Sequence, residues 1–200
     1  MIDSVKYSAI FPARNEEESL AVIVPFLIAV SKNLGEILVV IDSDSDSTLK
    51  LQHEFNDSKV PVRFVLNPEP GVFGAVKIGV DRALFPYVVI CAADEIIPLL
   101  KIDDFAISLE VGIGLVSATR YANGGRRFGG NVLERQLSLI GNKVLSILFK
   151  GRMTDFTTGY KGFGVQTWQI LAKDADGAGW SFALKFSLNA LKCNLLNNIL

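Results

Sequence analysis

Cysteine is almost missing from this sequence, with two in 200 residues. Cys91 lies inside an apolar run and Cys193 near the C-terminus, and two thiols so placed make neither a metal-type spacing nor a disulfide framework. A reducing, cytoplasmic setting is therefore expected. An excess of basic charge is also absent: the net charge is -1 and the pI about 5.9, which argues against nucleic acid as a partner. No apolar run is long. The longest, residues 20–30, falls well short of the roughly 20 residues that span a bilayer, although a mean hydropathy of +0.35 leaves room for peripheral contact with the cytoplasmic face of a membrane. The opening string MIDSVKYSAIF has no basic start, apolar stretch and small-residue cleavage site, so no export signal is read there. The single histidine, His53, is placed on a solvated helix face and given no chemistry.

What is present is apolar and ordered. Half of the residues are hydrophobic, enough for one sizeable core, and no linker, repeat or low-complexity tract divides the chain. One domain over residues 1–200 is expected. The apolar character resumes in the last four residues, Asn197 to Leu200, which reads as truncation of a longer chain. Continuous Val/Ile-rich runs at residues 7–11, 37–41, 60–66, 87–92 and 114–119 suit strands covered on both faces. Helical spacing of apolar residues occurs over 16–32, 47–55, 74–84, 131–148 and 181–195. In 131–148 the apolar stripe is Leu133, Leu137, Ile140, Val144 and Ile147–Leu148. The alternation predicts an α/β fold with a mostly parallel sheet flanked by helices.

In open α/β sheets ligands bind beyond the carboxyl ends of the strands, and three such ends are polar here. The first is Pro12-Ala13-Arg14-Asn15-Glu16-Glu17-Glu18, the second Asp42 through Thr48, and the third Asp94-Glu95. Each has a plain structural reading, as a helix start, a capped turn and a surface loop. Asp94 and Glu95 stand apart because they end a buried strand. Hard carboxylate oxygens at the mouth of a sheet suit Mg²⁺ or Mn²⁺, which takes one or two protein carboxylates and completes its shell with phosphate oxygens and water. Such an ion can stabilise charge on a leaving diphosphate.

The strings IFPARNEEESL, VVIDSDSDST, GVFGAVKIGVDRA, VVICAADE and TDFTTGYKGF follow the order and approximate spacing of the blocks of the family 2 glycosyltransferases. They cover about residues 5 to 185. The chain thus resembles that family, and within it the dolichyl- and polyprenyl-phosphate sugar transferases. The resemblance implies a GT-A, Rossmann-like sheet and an inverting transferase. Such an enzyme moves a hexosyl unit from a nucleoside diphosphate sugar, UDP- or GDP-linked, to a lipid-phosphate or glycan acceptor in cell-envelope glycan synthesis, with Mg²⁺ or Mn²⁺.

By the same resemblance Pro12, Arg14, Glu16 and Asp42 line the nucleoside site, Lys77 lies near the nucleotide, and Asp94 with Glu95 holds metal. Gly71, Ala75 and Gly79 match the family's glycine-rich stretch, for which close helix–sheet packing is an equally good account. Arg126 and Arg127, with the Arg135-x-x-Ser138 element, match the loop and helix that take a phosphorylated acceptor, and guanidinium groups are suited to phosphate. Asp155 matches the position of a catalytic base; for an acceptor that is already a phosphate anion its place is to position the acceptor or touch the metal instead. Two departures stand out. Ala92-Ala93-Asp94 replaces the usual Asp-x-Asp, and Lys185 stands where the family often has glutamate. They keep open a nucleotide-sugar-binding module without turnover. A sugar-nucleotide nucleotidyltransferase is the other alternative, disfavoured because Pro12–Glu16 is not the Gly-rich basic loop it would need.

Overall fold

The computed structural model describes residues 5–122 and 132–196, with side chains in the second segment from residue 136 onward. Among the described residues, six strands form one sheet in the order β3-β2-β1-β4-β6-β5. The strands are β1 (Tyr7–Ala13), β2 (Leu34–Ile41), β3 (Val62–Leu66), β4 (Tyr87–Ile90), β5 (Leu115–Ser117) and β6 (Lys161–Gly164). The helices are α1 (Glu17–Val30), α2 (Val72–Arg82), α3 (Ile102–Glu110), α4 (Val132–Leu148), α5 (Trp168–Leu171) and α6 (Phe182–Lys192).

Strands β1 to β4 are mutually parallel, as the uninterrupted apolar runs predict. Every residue of β2 is buried, because helices cover both faces. On one face Phe11, Val39 and Val89 pack with Leu20, Val24 and Leu27 of α1 and Phe105 of α3. On the other Ile10, Val40 and Ile90 pack with Val76 of α2, Trp168 of α5 and Phe186 of α6. Gly79 shows why α2 needs small residues: a Cβ there would come within 2.6 Å of the Ile10 side chain. That bears out the packing account at Gly79, while Gly71, with φ of 114° and no atom near its Cβ position, answers to backbone conformation instead.

Residues 47–55 differ from expectation. Only Ser47–Gln52 is helical, and it is a 3₁₀ segment capped by Asp46, since Asp, Ser and Thr compete for backbone hydrogen bonds. His53 is exposed at its end. The strand β6 and the helices α3 and α5 were not anticipated. Strand β6 is four residues long with two glycines, too short and too poor in branched residues for periodicity to reveal.

Strand β6 runs antiparallel to β4 and β5, and this reversal decides the composition of the site. Lys161, its first residue, pairs with Ile90, the last of β4. The segment preceding β6 therefore arrives at the same sheet edge as the segments following β1, β2, β4 and β5.

Candidate active site at the carboxyl edge of the sheet

Among the described residues, two cavities open along this edge. The first, about 300 Å³, is lined by Arg14, Asn15, Asp42, Ser43, Ser45, Asp46 and Pro70, the residues that follow β1 and β2 and precede α2. The loops are laced together. Asp46 accepts hydrogen bonds from the Asn15 N–H at 3.0 Å and the Thr48 N–H at 2.9 Å, while Thr48 Oγ1 accepts from the Glu16 N–H. Asn15 holds φ of 56°, a left-handed conformation that asparagine tolerates. Asp42 accepts from Asn67 Nδ2 at 2.8 Å and from the Gly71 N–H at 3.0 Å, so it both lines the cavity and anchors the entry to α2.

The second cavity, about 510 Å³, is lined by Ala92, Asp94, Glu95, Arg120, Ser138, Thr157, Thr158, Gly159, Tyr160, Trp180, Ser181 and Leu184. Asp94 is exposed and accepts no hydrogen bond from a described residue, so its oxygens face the cavity uncommitted. Tyr160 sets the loop that carries it: its hydroxyl donates to the Ala92 and Glu95 carbonyls. Burial, with the charges of Glu95 and Asp94 adding to it, pushes the Tyr160 phenol far above its ordinary range, so it stays a donor. Trp180 lies over Gly159, where any Cβ would collide with the indole ring. The donor set fits a divalent ion. Among the described residues no three His, Cys, Asp or Glu side chains converge, but one or two carboxylates suffice when diphosphate supplies the rest.

Behind this cavity lies Asp155, its side chain wholly buried. Arg120 grips it with two parallel bonds, Nε to Oδ2 at 2.7 Å and Nη2 to Oδ1 at 2.9 Å. Its backbone N–H adds a third, and the N–H groups of Thr157 and Thr158 also donate to Oδ1. Burial alone would raise the Asp155 carboxyl, but the Arg120 hydrogen bonds and charge, with the backbone donors, hold it below its ordinary value. A carboxylate so saturated and so acidic is a poor proton acceptor, and it does not line the cavity. The group presented there is Arg120, set against the Tyr121 ring at 5.5 Å.

Helix α4 is fastened to the same segment. Asn142, 2% exposed, donates to Thr157 Oγ1 at 3.1 Å and accepts from the Phe156 N–H at 2.7 Å. Ser138 meets the Tyr121 hydroxyl at 2.9 Å.

Of the residues expected from sequence, the fold brings Arg14 together with Asp42, and Asp94 and Glu95 together with Ser138. Pro12 and Glu16 border the first cavity in sequence without lining it. Lys77 lines neither; it pairs with Glu69 at 2.7 Å on the surface. Arg126 and Arg127 lie outside the described residues, as does the side chain of Arg135, whose backbone belongs to α4. Lys185 bonds the Asp176 carbonyl at 2.9 Å and is also absent from the lining. Arg120, Tyr160, Trp180 and Asn142 were missed. The string Thr119-Arg120-Tyr121 after a predicted strand could have flagged the first of these, since the other strand ends were read that way.

Comparison with known proteins bears on the family and the fold. The model of the family described as Glycosyl transferase family 2 matches residues 8–176. Two curated relatives carry the name undecaprenyl-phosphate 4-deoxy-4-formamido-L-arabinose transferase. The one from Pectobacterium carotovorum subsp. carotovorum strain PC1 is 33% identical over 100 residues, and the one from Pectobacterium atrosepticum strain SCRI 1043 is 32% identical over 100. Each match takes in 47% of this chain and 31% of the relative, so less than a third of the relatives' length is spanned.

Among solved structures, glucosyl-3-phosphoglycerate synthase from Mycobacterium tuberculosis superposes with a TM-score of 0.70 at 18% identity in its complex with Mg²⁺ and UDP. The superposition covers 98% of this chain and 68% of that one. The same enzyme with Mn²⁺, UDP-glucose and phosphoglyceric acid gives 0.69 at 17%, with the same coverage. The sheet is thus of the GT-A kind, and those neighbours were crystallised with a divalent metal and UDP or UDP-glucose. The family match covers far more than half of the sequence, and the chain belongs to glycosyl transferase family 2.

Proposed function

We propose that this chain is the donor-binding and catalytic domain of a metal-assisted hexosyltransferase. It moves a sugar from a UDP-linked donor to a phosphate-bearing lipid acceptor with inversion at the anomeric carbon, at the cytoplasmic face of a membrane. The observation that carries the reading is the pairing of two cavities on one sheet edge. Asp42 and Arg14 occupy one; Asp94, Glu95 and Arg120 occupy the other. Strand spacing of roughly 4.8 Å puts the ends of β2, β1 and β4 within the reach of one nucleotide sugar.

In this reading the nucleoside rests in the Asp42 cavity and the diphosphate reaches toward Asp94. Asp94, with Glu95, would hold a divalent ion, which would supply positive charge to offset that of the leaving diphosphate. Arg120 supplies a fixed cation toward the acceptor, pre-oriented by Asp155 so that little reorganises during reaction. Trp180 and Tyr160 shape the wall that shields the anomeric carbon. A phosphate oxygen attacks from the face opposite the leaving group, and since it is already anionic no protein group need take a proton. The saturated state of Asp155 favours a phosphate acceptor over a glycan hydroxyl for that reason. The relatives' names supply the lipid-phosphate class, and the structural neighbours, crystallised with UDP, favour uridine over guanosine.

Titration calorimetry with UDP and GDP, with and without Mn²⁺, tests the donor half. UDP binding strengthened by Mn²⁺ is expected, and no heat with either nucleotide under any condition would sink the reading. Transfer from UDP-sugars to undecaprenyl phosphate in detergent tests the acceptor half. Release of pyrophosphate from a nucleoside triphosphate and a sugar phosphate would point to a nucleotidyltransferase instead.

A further inference from the structure

The second cavity has two unlike sides. One is charged, with Asp94, Glu95 and Arg120; the other is apolar, with Trp180 and Leu184. Metal and phosphate call for the charged side and make no use of the apolar one. The apolar side is nevertheless built with care. Trp180 sits in the single 3₁₀ turn Gly179–Ser181, whose first residue holds φ of 54°, a left-handed conformation that glycine enters without steric cost. The six-membered ring of the indole occupies the space that a Cβ at residue 159 would need, so glycine at that position is what lets the ring lie there.

The ring is also held by its aromatic neighbours. Phe182, wholly buried, lies 5.7 Å from Trp180 between ring centroids, and Phe73 lies 6.1 Å from Phe182. Both spacings are those of favourable aromatic pairs. Phe73 belongs to the first turn of α2, two residues after Gly71, whose N–H is bound by Asp42. Two ring contacts therefore tie Trp180 to the helix that begins at the first cavity, while the indole itself lines the second. Although gripped in this way, Trp180 remains 37% exposed, which leaves a rigid aromatic surface open to a ligand.

A rigid apolar surface beside hydroxyl groups suits one kind of ligand. A pyranose carries C–H bonds on its faces and hydroxyls on its rim. The slightly positive C–H groups meet the negative face of an indole, and the rim is left for polar groups such as Ser181 and Thr158, which line the same cavity. An isoprenoid chain fits less well, because the apolar part is confined to two side chains among polar neighbours. We propose that Trp180, together with Leu184, is the platform on which the transferred sugar ring of the nucleotide donor stacks, so that this residue separates a sugar nucleotide from the bare nucleotide. The proposal rests on the preceding reading for the donor class and adds the residue that holds the sugar.

The test is titration calorimetry in Mn²⁺ with UDP, UDP-glucose, UDP-galactose and UDP-N-acetylglucosamine on the full chain, Trp180→Ala and Trp180→Phe, each checked for folding by circular dichroism. For the sugar nucleotide that the full chain holds best, affinity relative to UDP should fall roughly three- to tenfold in Trp180→Ala. In Trp180→Phe, which keeps an aromatic face, it should stay within about twofold. UDP itself should bind all three proteins alike. The same sugar nucleotide should alter the tryptophan fluorescence of the full chain where UDP does not, and the change should vanish in Trp180→Phe although binding persists. Trp168, the other tryptophan, is 7% exposed in the core and should give no such signal. If Trp180→Ala weakens UDP and its sugars equally, or leaves their ratio untouched, the platform is overturned and the transferase reading stands. An untouched ratio with a higher KM for undecaprenyl phosphate in the transfer assay overturns it in favour of the lipid chain. Absence of heat with every nucleotide on the full chain sinks the transferase reading, and the platform with it.

Discussion

Two buried carboxylates, each gripped by an arginine, lie in different parts of the sheet. Glu36, near the start of β2, accepts from Arg63 Nη1 at 2.6 Å, from Ser8 Oγ at 2.7 Å and from the Leu84 N–H at 2.6 Å. It joins β1, β2, β3 and the end of α2, and no described cavity lies over it. Asp155, just ahead of β6, accepts at least as many bonds but sits directly behind a cavity, and its arginine forms part of the lining. The chemistry of the pairs is alike, and their location on the sheet separates a fastening from a candidate working group. Ligands gather where parallel strands end, because loops diverge there and leave a crevice. A further difference is Lys161, fully buried within electrostatic reach of Asp155 and Arg120 and bonded to Ser117 Oγ at 3.1 Å and Ser187 Oγ at 2.9 Å.

This contrast can be broken in four ways. The largest effect is expected for Asp155→Asn, which strands Arg120 and should lower unfolding free energy by about 3–5 kcal/mol, as when one partner of a buried pair is removed. Sugar transfer should fall with it, and urea denaturation and an activity assay read the two losses. Asp94→Ala should do the reverse. An exposed carboxylate with no described hydrogen-bond partner contributes little to folding, so stability should stay within about 0.5 kcal/mol, while Mn²⁺-dependent transfer drops by roughly two orders of magnitude. Equal loss of stability in both variants would erase the distinction between fastening and site.

Glu36→Gln should cost about 1–3 kcal/mol of stability, again by urea denaturation, with UDP affinity per folded molecule unchanged. A weaker affinity would show that the far end of β2 communicates with the cavity.

The fourth test concerns pH. Burial lowers the Lys161 ammonium from 10.5 to about 7, with the Asp155 charge opposing and Arg120 assisting. Between those values the unfolded chain holds a proton that the folded chain has released, so stability should rise with pH across that window, by at most about 1.4 kcal/mol per unit. Lys161→Met should flatten this slope. Asp155 acts at the other extreme: its lowered pKa contributes stability above pH 3.8 that is lost as pH falls below it.

The side of the site that carries Asp42 and Asp94 was largely legible in the sequence. Each of its acids follows a Val/Ile run that could hardly be anything but a buried parallel strand, so Asp42 and Asp94 could be placed at one edge by chain order alone. The other side was not. Arg120 follows a three-residue strand, and the block 154–160 reaches the edge only because β6 turns back, which no local pattern announces. The residue type and motif at Asp155 suit a base or, for a phosphate acceptor, a positioning group. Its saturation by Arg120, Thr157 and Thr158 depends on contacts made across 35 residues of chain or around a turn. The stripe of α4 was seen correctly as a stripe, but periodicity measures only that two faces differ. Which face turns inward was decided by Asn142 and Ser138, whose hydrogen bonds to the 155–158 segment and to Tyr121 anchor the polar side.

What the sequence determined by itself was therefore the parallel core, the polar strand ends and the family blocks, all of which follow from short-range hydrophobic patterning and residue chemistry. The tertiary structure decided the direction of β6, the pairing of Asp155 with Arg120 and the outward turn of α4's apolar face. Each is a choice among partners distant in the chain, made by whichever arrangement leaves the fewest buried polar groups unsatisfied.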